Sequence, residues 1–306
     1  MLDDRVESKL MRNRIGWWVC ALLAASAALG QSIPSAVTED PAPDAAHPAK
    51  MTVLHIPSHG VSINGLVYQP SGAGPHPTLV ICHGLPGNEK NLDLAQAVRR
   101  AGWNAVAFNY RGSWGSPGQF RFSQTLEDAE AVLAFLRDPA QASALGVDTK
   151  RIAILGHSMG GWVVAHTAAH DHALHHPALI GVILMSAGDM GHEGEQPRDA
   201  LVKEMAENME SLAGVTAESM ADQLIQNAQP FLMANSAPGL VHVPLLALTA
   251  DDGLARDTDT LVKLIHERGG KRVEERHVAT DHSWSDHRIA LESIVINWLQ
   301  SLPAGK

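Results

Sequence analysis

Apolar runs with no polar alternation recur along the chain, at TLVICHG (78–84), NAVAFNYRG (104–112), RIAILGHS (151–158), IGVILMSAG (180–188) and VPLLALTAD (243–251). A strand that is apolar at nearly every position needs cover on both faces, which is the situation inside a parallel sheet. KRVEERHVA (271–279) adds a more polar strand, and MTVLHIP (51–57) followed by VSINGLVYQP (61–70) reads as a leading antiparallel hairpin. Between most of these runs the period lengthens to that of amphipathic helices, at 91–101, 125–137, 161–170, 257–269 and 287–302. Alternation of this kind, with right-handed crossovers, predicts an α/β fold: a doubly wound, mostly parallel sheet with an N-terminal antiparallel hairpin. Two further helical stretches, 198–212 and 216–231, fall in an insertion at about 188–242 and predict a small helical cap.

The pattern changes ahead of residue 51. MRNR followed by IGWWVCALLAASAALG and small residues reads as an export signal over 1–36, with Met11 an alternative start to Met1. The expected destination is the periplasm or the exterior. The apolar core is short for a membrane span, so retention by an uncleaved anchor is the lesser alternative. TEDPAPDAAHPAK then reads as a flexible spacer (37–50), leaving 51–306 as one domain. Of the two cysteines, Cys20 falls in the signal and Cys82 in a buried strand, so the mature chain has no disulfide and Cys82 reads as a packed thiol. A net charge of -10 with no basic patch argues against a nucleic-acid partner.

Chemistry enters at GHSMGG (156–161), where a strand passes into a helix with almost no loop. Such a turn strains its central residue, and Gly156 and Gly160 relieve the crowding on either side of Ser158. The Ser158 hydroxyl then stands above the carboxyl edge of the sheet, and the Met159 amide faces the same space from the helix N-terminus. In open α/β sheets ligands collect at these strand ends, which here also carry HGLPG (83–87), NYRGSWGSPG (109–118), TADDG (249–253) and TDHSWSDH (280–287).

A serine, then acids, then histidines on successive strand ends is the order of the α/β-hydrolase fold. The chain resembles that superfamily over roughly residues 51–303. In HGLPGN, NYRGSWGSPG and GHSMGG it resembles the single-domain esterases related to the acylaminoacyl-peptidase and prolyl-oligopeptidase branch. The resemblance implies a catalytic Ser158, a base at His282 in a DH turn and an acid at Asp252, at the end of the TADD pattern begun by Thr249. It also implies an oxyanion hole formed by the amides of Leu85 and Met159. Pro86 has no amide to give, and His83 would brace the loop. His287 remains the nearest rival for the base, Asp251 and then Asp281 for the acid. His157 is expected to point away from the nucleophile, as successive side chains diverge at a strand end.

These parts predict a serine hydrolase that cleaves carboxylic esters of small to medium acyl groups without a metal or organic cofactor. An acylaminoacyl-type peptidase and a catalytically silent binding protein are the alternatives. From Asp189 to Asp222 the cap carries nine acidic residues against Arg198 and Lys203, which favours a neutral ester over an anionic one. Leu201, Met205, Met209 and Leu212, then Met220, Leu224 and Phe231, recur at helical spacing as an apolar stripe. His166, His170, Asp171, His172, His175 and His176 crowd one stretch but lie beyond the helix start that holds Ser158, so a metal there is not expected to serve the chemistry. No stable membrane span is expected in the folded domain, and the oligomeric state is open.

Overall fold

The computed structural model describes residues 32–176 and 179–303. Eight strands form one sheet: β1 (Lys50–Ser58), β2 (Val61–Gln69), β3 (His76–Cys82), β4 (Asn104–Phe108), β5 (Val147–His157), β6 (Gly181–Met185), β7 (Leu245–Ala250) and β8 (Val273–Val278). Their spatial order is β1-β2-β4-β3-β5-β6-β7-β8. β1/β2 and β2/β4 pair antiparallel, and every later pair is parallel. The expected doubly wound sheet with a leading hairpin is therefore the observed one.

The all-apolar strands divide their side chains by the two-residue period of a strand. In β3, Val80 and Cys82 join one core, which includes Phe122, Leu133, Val163 and Leu261, while Leu79 and Ile81 join the other, with Leu94, Val98, Val295 and Trp298. The first core is covered by α3 (Phe122–Arg137), α5 (Met159–Ala173) and α11 (Ala255–Glu267), the second by α2 (Leu92–Arg100) and α12 (Arg288–Ser301). Buried deep on the first side, Asp128 of α3 accepts hydrogen bonds from Ser58 Oγ (2.5 Å), Arg111 Nε (2.7 Å) and the Arg111 amide (2.8 Å). The loop after β4 is thus tied to β1 and α3.

A short segment that spans the expected end of the signal and start of the spacer packs on the domain. Helix α1 (Ser35–Thr38) lies against α2 and α12: Arg100 Nε donates to the Ala36 carbonyl at 2.6 Å and Asn297 Nδ2 to the Ser32 carbonyl at 3.1 Å. Ala36 is buried and Val37 packs on the second core. The rest of the expected signal, Cys20 included, lies outside the described residues.

The insertion between β6 and β7 is helical but more broken than its periodicity suggests. It contains α6 (Met190–Glu193), α7 (Arg198–Ala206), α8 (Ala217–Gln226), α9 (Ala228–Phe231), a 3-10 turn (Met233–Ser236) and α10 (Ala237–Leu240). The stretch expected as helix up to Leu212 stops at Ala206, because Leu212 bridges as a strand to Ser113 instead. Leu201 and Met205 are fully buried, while Met209 and Leu212 pack at the margin. A short helix, α4 (Pro139–Leu145), carries no apolar period long enough to reveal it; Asp138 caps it, accepting from the Ala140 and Gln141 amides. Among the described residues no helix is long and apolar enough to cross a membrane.

Candidate active site

β5 ends at His157 and α5 begins at Met159, so Ser158 alone makes the turn. Its backbone sits at φ 58° and ψ −128°, a region that L-residues rarely enter. The glycines around it are steric necessities: a Cβ at Gly156 would lie 1.9 Å from the Gly160 carbonyl oxygen, and one at Gly160 would lie 2.1 Å from that of Cys82. The Ser158 amide donates to the Met185 carbonyl (3.1 Å), and its carbonyl accepts from Gly161 and Gly188 (2.8 and 3.1 Å). The main chain is held on both sides while the side chain stays partly exposed. Met159 is the first residue of α5, and its amide is among those a helix leaves without an internal partner.

The loop after β3 passes directly over this serine. A Cβ on Gly84 would stand 2.7 Å from the Ser158 Cβ, so only glycine allows Leu85 to follow so closely. His83 Nδ1 donates to the Gly84 carbonyl at 2.8 Å, and the His83 carbonyl accepts from the Tyr110 hydroxyl at 3.1 Å. Burial pushes the His83 imidazole down to about 4, so at neutral pH it is an uncharged brace. Burial likewise pushes the Cys82 thiol up to about 12, which leaves it inert.

His282 follows β8 in the loop leading to α12, and its Nδ1 donates to Asp252 Oδ2 at 2.9 Å. The Asp252 side chain is only 4 % exposed, against 63 % for Asp251. Burial alone would raise the Asp252 carboxyl, but hydrogen bonds from His282, the Leu254 amide and the Ser186 hydroxyl outweigh it and hold the group below its ordinary value. Asp251 faces another way and accepts from His277 Nε2 at 3.0 Å. Asp281 accepts from the Ser285 amide (2.8 Å), and His287 sits at the cap of α12 against Asp286. Of the rival residues, none meets the His282–Asp252 pair through these bonds.

His157 has a part that its position in the strand did not suggest. Its Nε2–H donates to the His282 carbonyl at 2.9 Å, and the two rings lie against each other, tilted by 36° with centroids 4.8 Å apart. Far from idle, the residue preceding Ser158 links the elbow to the loop that carries His282. Burial, reinforced by the neighbouring His282, lowers its imidazole to about 4. Ser186 and Trp284 also escape a reading of the sequence: the Trp284 indole N–H donates to Ser186 Oγ at 3.1 Å behind Asp252. Trp284 does fall within TDHSWSDH, but nothing in that spacing points to a serine on another strand end.

Two histidines of the rich stretch meet carboxylates toward the far end of α5, while His166 donates to the Phe231 carbonyl at 3.2 Å. Glu130 pairs with His170, and Asp171 with both His176 and Arg137. Among the described residues no three metal-ligating side chains gather.

A strained serine elbow at the carboxyl edge of a mostly parallel eight-stranded sheet, with a His–Asp pair delivered by the last two strand ends, defines an α/β-hydrolase fold. The chain matches the model of the alpha/beta hydrolase family over residues 79–294, and it belongs to that family. Among solved structures it resembles EstE1, a thermostable carboxylesterase from a metagenomic library (TM-score 0.64, 21% identity, covering 84% of this chain and 91% of that one). It also resembles a carboxyl esterase from Bacillus coagulans (TM-score 0.62, 16% identity, 82% and 98%). Among curated proteins, the quorum-quenching protein AidA of Acinetobacter baumannii is 33% identical over 123 residues, 38% of this chain and 39% of that protein. The chain spans less than half the length of the curated relatives it matches.

Proposed function

We propose that the protein is a serine hydrolase that cleaves neutral carboxylic esters of small to medium acyl groups through an acyl-enzyme on Ser158. One juxtaposition carries this reading. Ser158 is held in a strained elbow under Gly84, next to His157, whose ring lies against a His282 already paired with Asp252.

In the proposed reaction, His282 takes the Ser158 proton as Oγ attacks the ester carbonyl carbon, and Asp252 stabilises the imidazolium that results. The Leu85 and Met159 amides donate to the oxyanion. Collapse of the tetrahedral intermediate expels the alcohol, which leaves with the proton from His282. Water, deprotonated by the same ring, then attacks the acyl-enzyme and releases the acid. Besides the ester and a water, each step uses side chains and amides of this chain.

The acidic cap disfavours anionic substrates, and Arg198, one of its two basic residues, is already paired with Asp222. The basic stretch and apolar core at 11–30 support export, with any cut falling before Ser32, since cleavage at residue 36 would remove the carbonyls that Arg100 and Asn297 hold.

Ser158→Ala tests the core of the reading. It is expected to abolish hydrolysis of p-nitrophenyl esters and labelling by a fluorophosphonate, with an unchanged circular dichroism spectrum. Retained labelling would exclude Ser158 as the nucleophile.

A further inference from the structure

Three segments meet at the edge of the candidate site: the loop after β3 (83–91), the loop after β4 (109–118) and the cap strip 208–215. The Pro86 carbonyl is at their junction and accepts two hydrogen bonds, from Trp114 Nε1 at 2.6 Å and from Ser211 Oγ at 3.2 Å. One donor comes from the loop after β4, the other from the cap. Those two segments are themselves joined, since the Trp114 amide donates to the Ser211 carbonyl (3.0 Å), the Ala213 amide donates to that of Gly112 (2.7 Å), and Ser113 bridges to Leu212. On the other side, the Lys90 ammonium lies 4.2 Å from the Trp114 ring centroid and donates to Asn109 Oδ1 at 2.9 Å. Asn88 Nδ2 adds a bond to Glu210 Oε1 at 3.1 Å.

Trp114 is an unusual residue to find at such a junction. Its backbone adopts φ 48°, where a bulky side chain is strained, and the residue still leaves 38% of its surface exposed. The strained conformation does aim the indole N–H at Pro86. Proline's ring fixes its own φ, so a clamp on the Pro86 carbonyl leaves the chain at Leu85 little freedom. We infer that Trp114 is a positioning residue for the oxyanion site: with Ser211 it clamps the Pro86 carbonyl, so that seating of the cap strip on the loop after β4 sets the Leu85 amide.

This inference rests on the proposed reaction at Ser158, and its test separates the two. In the full chain, Trp114→Phe keeps an aromatic face for Lys90 and removes the indole N–H together with its five-membered ring, while Ser211→Ala removes the second donor to Pro86 with little change of volume. The readouts are kcat and KM for p-nitrophenyl butyrate and the inhibition constant of phenylboronic acid, whose adduct with a serine Oγ puts an oxygen in the oxyanion site. Because misplacing a catalytic group by about 1 Å can cost on the order of 100-fold, kcat is expected to fall about 10- to 100-fold with KM within about twofold, and boronate binding to weaken by a similar factor. Ser211→Ala should show the same pattern more weakly, and it decides the matter alone if Trp114→Phe fails to fold by circular dichroism. A raised KM at unchanged kcat, or boronate binding at the wild-type level, would overturn the inference and leave the hydrolase standing. A wild-type protein that neither hydrolyses the ester nor takes the fluorophosphonate label would instead overturn the reading of Ser158, and this inference with it.

Discussion

The two adjacent aspartates after β7 pose the sharpest question for a single side chain. Asp252 is enclosed by three donors and meets His282 Nδ1, whereas Asp251 is exposed and spends its carboxylate on His277. Asp252→Asn would turn an acceptor into an amide and favour the wrong imidazole tautomer, so kcat for p-nitrophenyl ester hydrolysis is expected to fall by roughly 10⁴. Asp251→Asn should cost no more than about threefold, because its bond to His277 is solvent-exposed and a neutral amide can still accept it. Steady-state kinetics on both variants, at matched circular dichroism spectra, checks the contrast. Equal losses would mean that another group orients His282.

Elements were legible in the sequence wherever local pattern and tertiary environment agree. β3, β4, β6, β7 and the second half of β5 declared themselves because burial on both faces leaves few polar positions, and the elbow declared itself because only glycines fit around Ser158. Legibility ended where a distant partner overrides local period. Leu212 continues a helical spacing, yet it pairs with Ser113, and α7 stops at Ala206, well short of it. The loop after β4, as a motif, gave no hint that Trp114 would reach Pro86, since that bond depends on the fold of two other segments. Helix α1 is a further case: its composition reads as the end of a leader and the start of a spacer, but Ala36 and Val37 find cover between α2 and α12. Its attachment has a measurable consequence. Two hydrogen bonds and the burial of two small apolar side chains together are worth about 2 kcal/mol, so a chain beginning at Pro41 should be less stable by that amount than one beginning at Ser32. Urea unfolding of the two proteins measures it, and coincident curves would mean that α1 contributes nothing to the fold.

At the scale of the whole molecule, the packing that builds the site also sets how the fold responds to acid. His83 and His157 are both buried at the carboxyl edge of the sheet, and burial lowers each from 6.5 to about 4. Between those two values the unfolded chain takes up protons at these rings that the folded one refuses. Their contribution to stability is therefore complete above about pH 6.5 and is lost progressively as the pH falls toward 4. Other buried groups pull the opposite way: the carboxyls of Asp128, Asp189, Glu193 and Glu292 are raised by burial, so the folded protein protonates them first. The slope of wild-type stability against pH thus mixes both signs, and a variant comparison is needed to isolate one ring. His157→Gln serves, because a glutamine amide can still donate to the His282 carbonyl and has no proton to take up in this range. Between pH 7 and pH 4.5 the wild type is expected to lose roughly 2–3 kcal/mol more unfolding free energy than this variant, since refusing one proton costs the folded state about 1.4 kcal/mol for each pH unit below 6.5. Urea unfolding at the two pH values gives that difference. Parallel losses in the two proteins would mean that His157 is as easily protonated in the folded molecule as in the unfolded chain, and the pair of rings beside Ser158 would then have to accommodate an imidazolium.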